Sequence, residues 1–113
     1  MNDQTIEQEI QAKGLTAPRI TPAAIEANIE REHYINVGDA CIHPVRPEGA
    51  GLYPEDLLTI CVIVLKNGFT VTGESACASP ENFDDEIGRK IARQNAVAKV
   101  WPLMGYELRS KLA

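Results

Sequence analysis

The sequence is short of cysteine pairs, aromatic rings, long apolar runs and glycine-rich phosphate loops, and each shortage closes off a class of function. Three cysteines, Cys41, Cys61 and Cys77, stand 20 and 16 residues apart with no C-x-x-C pair. An odd number at such spacing argues against a disulfide framework and makes a reducing cytoplasm the expected compartment. The longest unbroken apolar run, Ile60 to Leu65, is six residues, against about 20 needed to span a bilayer as a helix. No membrane association is expected. Met1 to Gly14 carry Asp3, Glu7 and Glu9 and no apolar core, so this stretch does not read as a secretory signal. Aromatics make up 5% of the chain, and no basic run interleaves with them, which disfavours duplex nucleic acid as a partner.

Chemistry-bearing motifs are equally scarce. Gly49-Ala50-Gly51 precedes a strand pattern and lacks the third glycine, whereas a dinucleotide loop follows a strand and opens a helix. His33, Cys41 and His43 fall within eleven residues but have no second ligand pair, so unrelated loop side chains are the preferred reading and no metal is expected. Cys61 sits in an apolar strand, where a thiolate is disfavoured. Cys77 precedes Ser79, a candidate helix cap whose dipole would favour a thiolate, yet a packed thiol is the simpler account. In Asp84-Asp85-Glu86, the pairs Asp85 with Arg89 and Glu86 with Lys90 fall four apart with the acid first, the pattern of a solvated helix face. No catalytic residue, enzyme activity or cofactor is assigned.

What is present suffices for one domain. The chain has 113 residues, of which 28 are Leu, Ile, Val or Phe, enough apolar surface for a globular fold. The formal charge is −5, and the acidity is concentrated in front: residues 1–56 hold 4 basic and 10 acidic side chains, residues 57–113 hold 7 and 6. Asn2-Asp3, with Ile6 and Ile10 four apart and Gly14 as terminator, predicts a weak helix within an arm over 1–19. Thr21-Pro22, with an Ile20–Ile25 staple, opens a helix predicted from Pro22 to about Glu32. Residues 20–113 then form a single α+β domain. Its stretch 36–56 is broken by Gly38, Pro44, Pro47, Gly49, Gly51 and Pro54 and reads as a long loop, with at most a short strand near Ala40 to Ile42.

Asn67-Gly68 between two strand patterns, 57–66 and 69–75, predicts an antiparallel β-hairpin with a two-residue type I′ turn. Lys66 then faces Phe69, and Val64 with Val71, Val62 with Gly73 and Ile60 with Ser75 form the core face. Leu65, Ile63 and Cys61 lie on the other face, which suits a second subunit or the front helices. Ser79-Pro80 opens a long C-terminal helix predicted over 80–101, packed on the hairpin through Phe83, Ile87, Ile91, Ala98 and Trp101, with Gly88 and Ala92 allowing close approach. Pro102 ends it, and a short terminal helix follows Gly105.

The residues Leu65 to Leu112 closely resemble a family of small tailed-phage proteins without an assigned function. The likeness runs through Lys66-Asn67-Gly68-Phe69, Thr72-Gly73-Glu74-Ser75, Pro80-Glu81-Asn82-Phe83, Gly88-Arg89-Lys90-Ile91-Ala92 and Trp101-Pro102-Leu103. Thr21-Pro22 and Glu32-His33-Tyr34 are also similar to the family's front half. The resemblance implies a phage accessory protein of the infected host cytoplasm and carries no catalytic residues. With no catalytic constellation, a stoichiometric binding role is the expectation: anti-defence, a sponge for a host nucleotide immune signal. Arg89, Lys90 and Arg93 are the candidate phosphate contacts, Thr72, Glu74 and Ser75 the base or ribose contacts, and Tyr34 or Trp101 the stacking ring. Arg93 is left over, with no obvious acid on its own helix, and the competing account of these basic residues is a surface patch or an intersubunit ion pair with the acidic front half. A protein that binds and redirects a host protein, with the acidic front half as its contact surface, is the alternative function. Because a lone hairpin is marginal, a homo-oligomer is expected.

Overall fold

The computed structural model describes residues 2–41 and 45–113, and its elements follow in the order α1 (Asp3–Ala12), α2 (Pro22–Ala27), β1 (Ile29–Asn36), a one-turn α3 (Val37–Ala40), β2 (Leu58–Leu65), β3 (Thr70–Ala76) and α4 (Asp85–Leu112). Short 3-10 turns occupy Pro54–Leu57 and Pro80–Asn82. The fold is α+β, as the sequence predicts. A three-stranded antiparallel sheet, ordered β1-β2-β3, carries the long α4 on one face.

Caps set the front helices. Asn2 accepts from the Thr5 amide, and Thr21 accepts from the Ala24 amide. Gly14, at φ 68°, closes α1 with paired bonds from Gly14 N to the Gln11 carbonyl and from Leu15 N to the Ile10 carbonyl. The helix predicted to reach Glu32 stops at Ala27, and β1 takes its place. β2 is nearly continuous in apolar residues and sits centrally, so its second edge needs a strand, and this tertiary demand overrides a helical pattern with only two anchors.

The hairpin forms, but with a register one residue from that predicted. Leu65 N donates to the Phe69 carbonyl and Gly68 N to the Leu65 carbonyl, leaving a three-residue loop in which Gly68 alone has positive φ. Ile63 therefore pairs with Val71 and Cys61 with Gly73. A slip of one residue exchanges the faces of β2. Cys61, Ile63 and Leu65, expected to meet a second subunit or the front helices, are the buried core, where Ile25 of α2 joins them together with Val71, Ala92, Ala96 and Val100.

α4 also departs from its predicted form. Asp84 caps it, accepting from Ile87 N at 2.9 Å, whereas Ser79 makes no capping bond. Gly88, Ala92, Ala96 and Val100 face the sheet, while Ile87 and Ile91 stay exposed and Phe83 precedes the helix. The small stripe takes the core because the helix backbone rests directly on Gly73, where no Cβ intervenes. The helix runs through Pro102 to Leu112, its packing at Val100 and Met104 on either side outweighing one lost backbone bond.

The described residues of the stretch 36–56 are tied together more than a free loop would be. The buried Asp56 carboxylate accepts both Arg46 terminal nitrogens and the Tyr53 amide, and Asn36 Nδ2 donates to the Asp56 carbonyl at 2.8 Å. The Arg46 guanidinium lies 4.0 Å from the Tyr53 ring centroid. Ala40 ends α3 rather than starting a strand; Ile42 lies outside the described residues, as does His43.

α1 buries no residue. Its ties are Glu7 with Arg19, at 2.5 and 2.8 Å, and Asp3 with Trp101. The Arg19 hydrogen bonds hold the Glu7 carboxyl down to about 2, so this tie is complete above the ordinary carboxylate range and is lost as pH falls through that value. Arg19→Ala is expected to make α1 the first site of limited proteolysis while the thermal midpoint of the core stays in place.

Candidate functional site

A groove of about 520 Å³ runs between the start of α1, α2 and one flank of α4. Ile25, Val97 and the Trp101 ring form its apolar wall, and Asn2, Asp3, Gln4, Glu26, Arg93 and Gln94 supply its polar groups. A smaller cavity of about 230 Å³ lies on the other side of Asp3, Pro22 and Trp101, under Ile6, Ile10 and Ile20. Both volumes lie beside α1, which buries no residue of its own against the rest of the chain.

Arg93 dominates the electrostatics. Its Nε donates to Glu32 Oε2 at 2.8 Å, and its Nη1 and Nη2 donate to Glu26 at 3.0 and 2.7 Å. These bonds hold the guanidinium firmly charged and draw the Glu26 carboxyl below its ordinary range. Glu32 Oε1 accepts from the Tyr34 hydroxyl at 3.0 Å. Burial, followed by that bond, pushes the Tyr34 phenol up to about 12. Trp101 Nε1 donates to Asp3 Oδ2 at 3.2 Å. Tyr34, Glu32, Arg93 and Glu26 thus form one connected chain, and Asp3 brings the local carboxylates to three against one guanidinium.

The predicted residues separate into groups. Arg93 and Trp101, two turns apart on α4, line the groove, with Tyr34 reached through Glu32. Arg89 and Lys90 lie on the exposed surface of α4, where Lys90 pairs with Glu86 at 3.2 Å. Thr72 and Glu74 project from the face of the sheet away from α4 and bond to each other at 3.3 Å. Ser75 faces α4 and lines a different pocket with Cys77, Phe83 and Ile91. Arg93, read as left over without an acid, is paired twice within the chain by the front half. Cys77 donates its thiol to the Ser79 carbonyl at 3.1 Å, and α4 begins eight residues beyond it, too late for the helix dipole to act on that sulfur. Burial pushes the Cys61 thiol up, as a core position requires. Among the described residues no three His, Cys, Asp or Glu side chains gather as a metal set.

The groove's Asp3, Glu26 and Gln94, and Glu32 behind Arg93, went unnoticed in the sequence. The segment Ile29–Asn36 has no apolar–polar alternation to announce a strand; only once it is a strand do Glu32 and Tyr34, two apart, share a face. The sequence profile of the phage protein (N4 Gp49/phage Sf6 gene 66) family matches residues 20–112. The chain belongs to this family. The match takes in α2, the whole sheet and α4, and it starts at Ile20, after the arm that carries α1. The family residues therefore build the sheet, Arg93 and Trp101, while the α1 side of the groove comes from outside the matched span. No curated protein and no solved structure matches the chain.

Proposed function

We propose that this phage protein is a stoichiometric anti-defence binder, a sponge that holds a host nucleotide immune signal in the groove beside α4 in the host cytoplasm. The observation that supports this reading most is that Arg93 and Trp101 line one groove of about 520 Å³, a volume suited to a nucleotide-sized ligand. The Trp101 ring offers a stacking surface, and Asn2, Gln4 and Gln94 offer amides to a base edge. A phosphate reaches Arg93 by replacing Glu26, whose side chain is 53% exposed and so is the less costly partner to release. Glu32 keeps Nε in place, and the freed Glu26, with Asp3, accepts from ribose hydroxyls or a base amino group.

The test is capture and release. A panel of cyclic and linear nucleotide signals is incubated with the protein, and the bound member is expected to leave free solution and return chemically intact after heat denaturation. Arg93→Ala is a poor probe, since it strands two carboxylates. Ala98→Trp is cleaner, because Ala98 is exposed and lines the groove without joining the Arg93 chain. It is expected to weaken capture at least roughly tenfold in calorimetric titration, with an unchanged melting temperature. Silence across the panel, together with specific pull-down of one host protein, would favour the second reading, a protein that redirects a host protein. That reading draws on Leu103, Tyr106 and Leu112, exposed near the C-terminal end of α4.

A further inference from the structure

The sheet has two faces, and α2 and α4 pack on the one that holds Cys61, Ile63 and Leu65. On the opposite face the strand register sets out three rows: Arg31, Val64 and Thr70; His33, Val62 and Thr72; Ile35, Ile60 and Glu74. Ile60, Val62 and Val64 run down the middle only half-buried, and Ile35 is 38% exposed. His33 is the one ring among these nine residues, and a single imidazole does not make the row of stacking rings by which sheets hold single-stranded nucleic acid. A stripe of β-branched side chains fits another aliphatic surface instead.

The charges on this face identify that surface. Arg31 and Glu74 stand at diagonally opposite corners with Val62 midway between them. Among the described residues Arg31 joins no ion pair, and the Glu74 carboxylate accepts only from Thr72. When two copies of the face meet, a two-fold axis lying between them and perpendicular to the Arg31–Glu74 diagonal sets Val62 against Val62. The same axis sets each Arg31 against the Glu74 of the other copy. With strands about 4.8 Å apart and a rise of about 3.4 Å per residue, the strands of the two sheets then cross at roughly 70°, near the orthogonal class of sheet packing. The face is therefore complementary to itself in shape class and in charge. The protein also needs such support: its buried cluster holds eight residues, and the radius of gyration of the chain, α1 included, is 18.1 Å, against roughly 13 Å for a compact chain of this length.

We infer that the open sheet face is the interface of a two-fold homodimer, centred on Val62 and framed by two reciprocal Arg31–Glu74 ion pairs. The patch is small, so the dimer is expected in the micromolar range. It lies on the side of the sheet away from the groove and stands whether or not a nucleotide binds there.

Sedimentation velocity on the full chain from about 1 to 200 µM tests it, since a micromolar dimer forms within that range. The wild type is expected to shift from one to two chain masses as concentration rises. Val62→Asp should remain a monomer with an unchanged circular dichroism spectrum. Arg31→Glu and Glu74→Arg should each weaken association by roughly tenfold, and the double reversal should restore it. A wild type that is monomeric throughout, or a double reversal no tighter than its parents, overturns the inference. Both reversals lie on the surface, so they decide the matter even if Val62→Asp fails to fold.

Discussion

A Gly73→Ala variant is expected to lose at least about 4 kcal/mol, most of the stability of a domain this size. A Cβ built at Gly73 would lie 2.2 Å from the Ala96 amide nitrogen and 2.3 Å from the Ala92 carbonyl oxygen. Both atoms are helix backbone, so no side-chain rotation relieves the clash and α4 must lift off the sheet along its middle. Lifting it opens the contacts of Ala92, Ala96 and Val100 with Cys61 and Ile63, which are the centre of the core. Gly88→Ala is the informative contrast. Its Cβ would meet the Thr59 hydroxyl at 3.1 Å, a tight but adjustable contact, and alanine gains up to about 1 kcal/mol of helix propensity there. Chemical denaturation of the two variants is expected to show a collapse for the first and a small change for the second. Equal effects would mean that α4 does not rest on Gly73.

Gly38→Ala is expected to cost about 3 to 5 kcal/mol, the range found when a buried ion pair loses one partner. The added Cβ would lie 1.7 Å from Asp56 Oδ1 and 2.7 Å from Asp56 Cα. The carboxylate cannot swing away without leaving Arg46 and the Tyr53 amide, and it is 6% exposed, with no water to replace them. If α3 moves instead, Asn36 loses its bond to the Asp56 carbonyl and β1 loses its anchored end. Asp39→Ala, one residue on and exposed, is expected to change the thermal midpoint little. A Gly38→Ala protein that melts like the wild type would show that residues 45–57 do not depend on this contact.

The candidate site was legible only in part. Arg93 and Trp101 could be singled out because a fixed helical period places residues eight apart on neighbouring flanks. Their partners could not. Glu26 and Glu32 lie in separate elements more than sixty residues from Arg93, and their pairing with it depends on how β1 and α2 sit beside α4. Grouping Thr72, Glu74 and Ser75 as one set of contacts failed for a simpler reason: neighbouring residues on a strand point to opposite faces.

By itself the sequence determined the elements that local chemistry controls. Asn2 and Thr21 cap their helices, Gly14 closes α1, Pro22 opens α2, and the hairpin turns at Gly68, because a cap or a positive φ needs only residues a few positions apart. The phage family was legible in the same way, from the run of residues along β3 and α4. Only the tertiary structure decided which face of β2 is core, that a strand and not a helix follows Asn28, and which side of α4 meets the sheet. An Asn-Gly turn admits two loop lengths, a short apolar segment admits helix or strand, and a helix with small residues on one side and large ones on another offers two possible cores. Local preferences separate such alternatives by tenths of a kcal/mol, whereas filling the edge of β2 and seating the α4 backbone on Gly73 separate them by several.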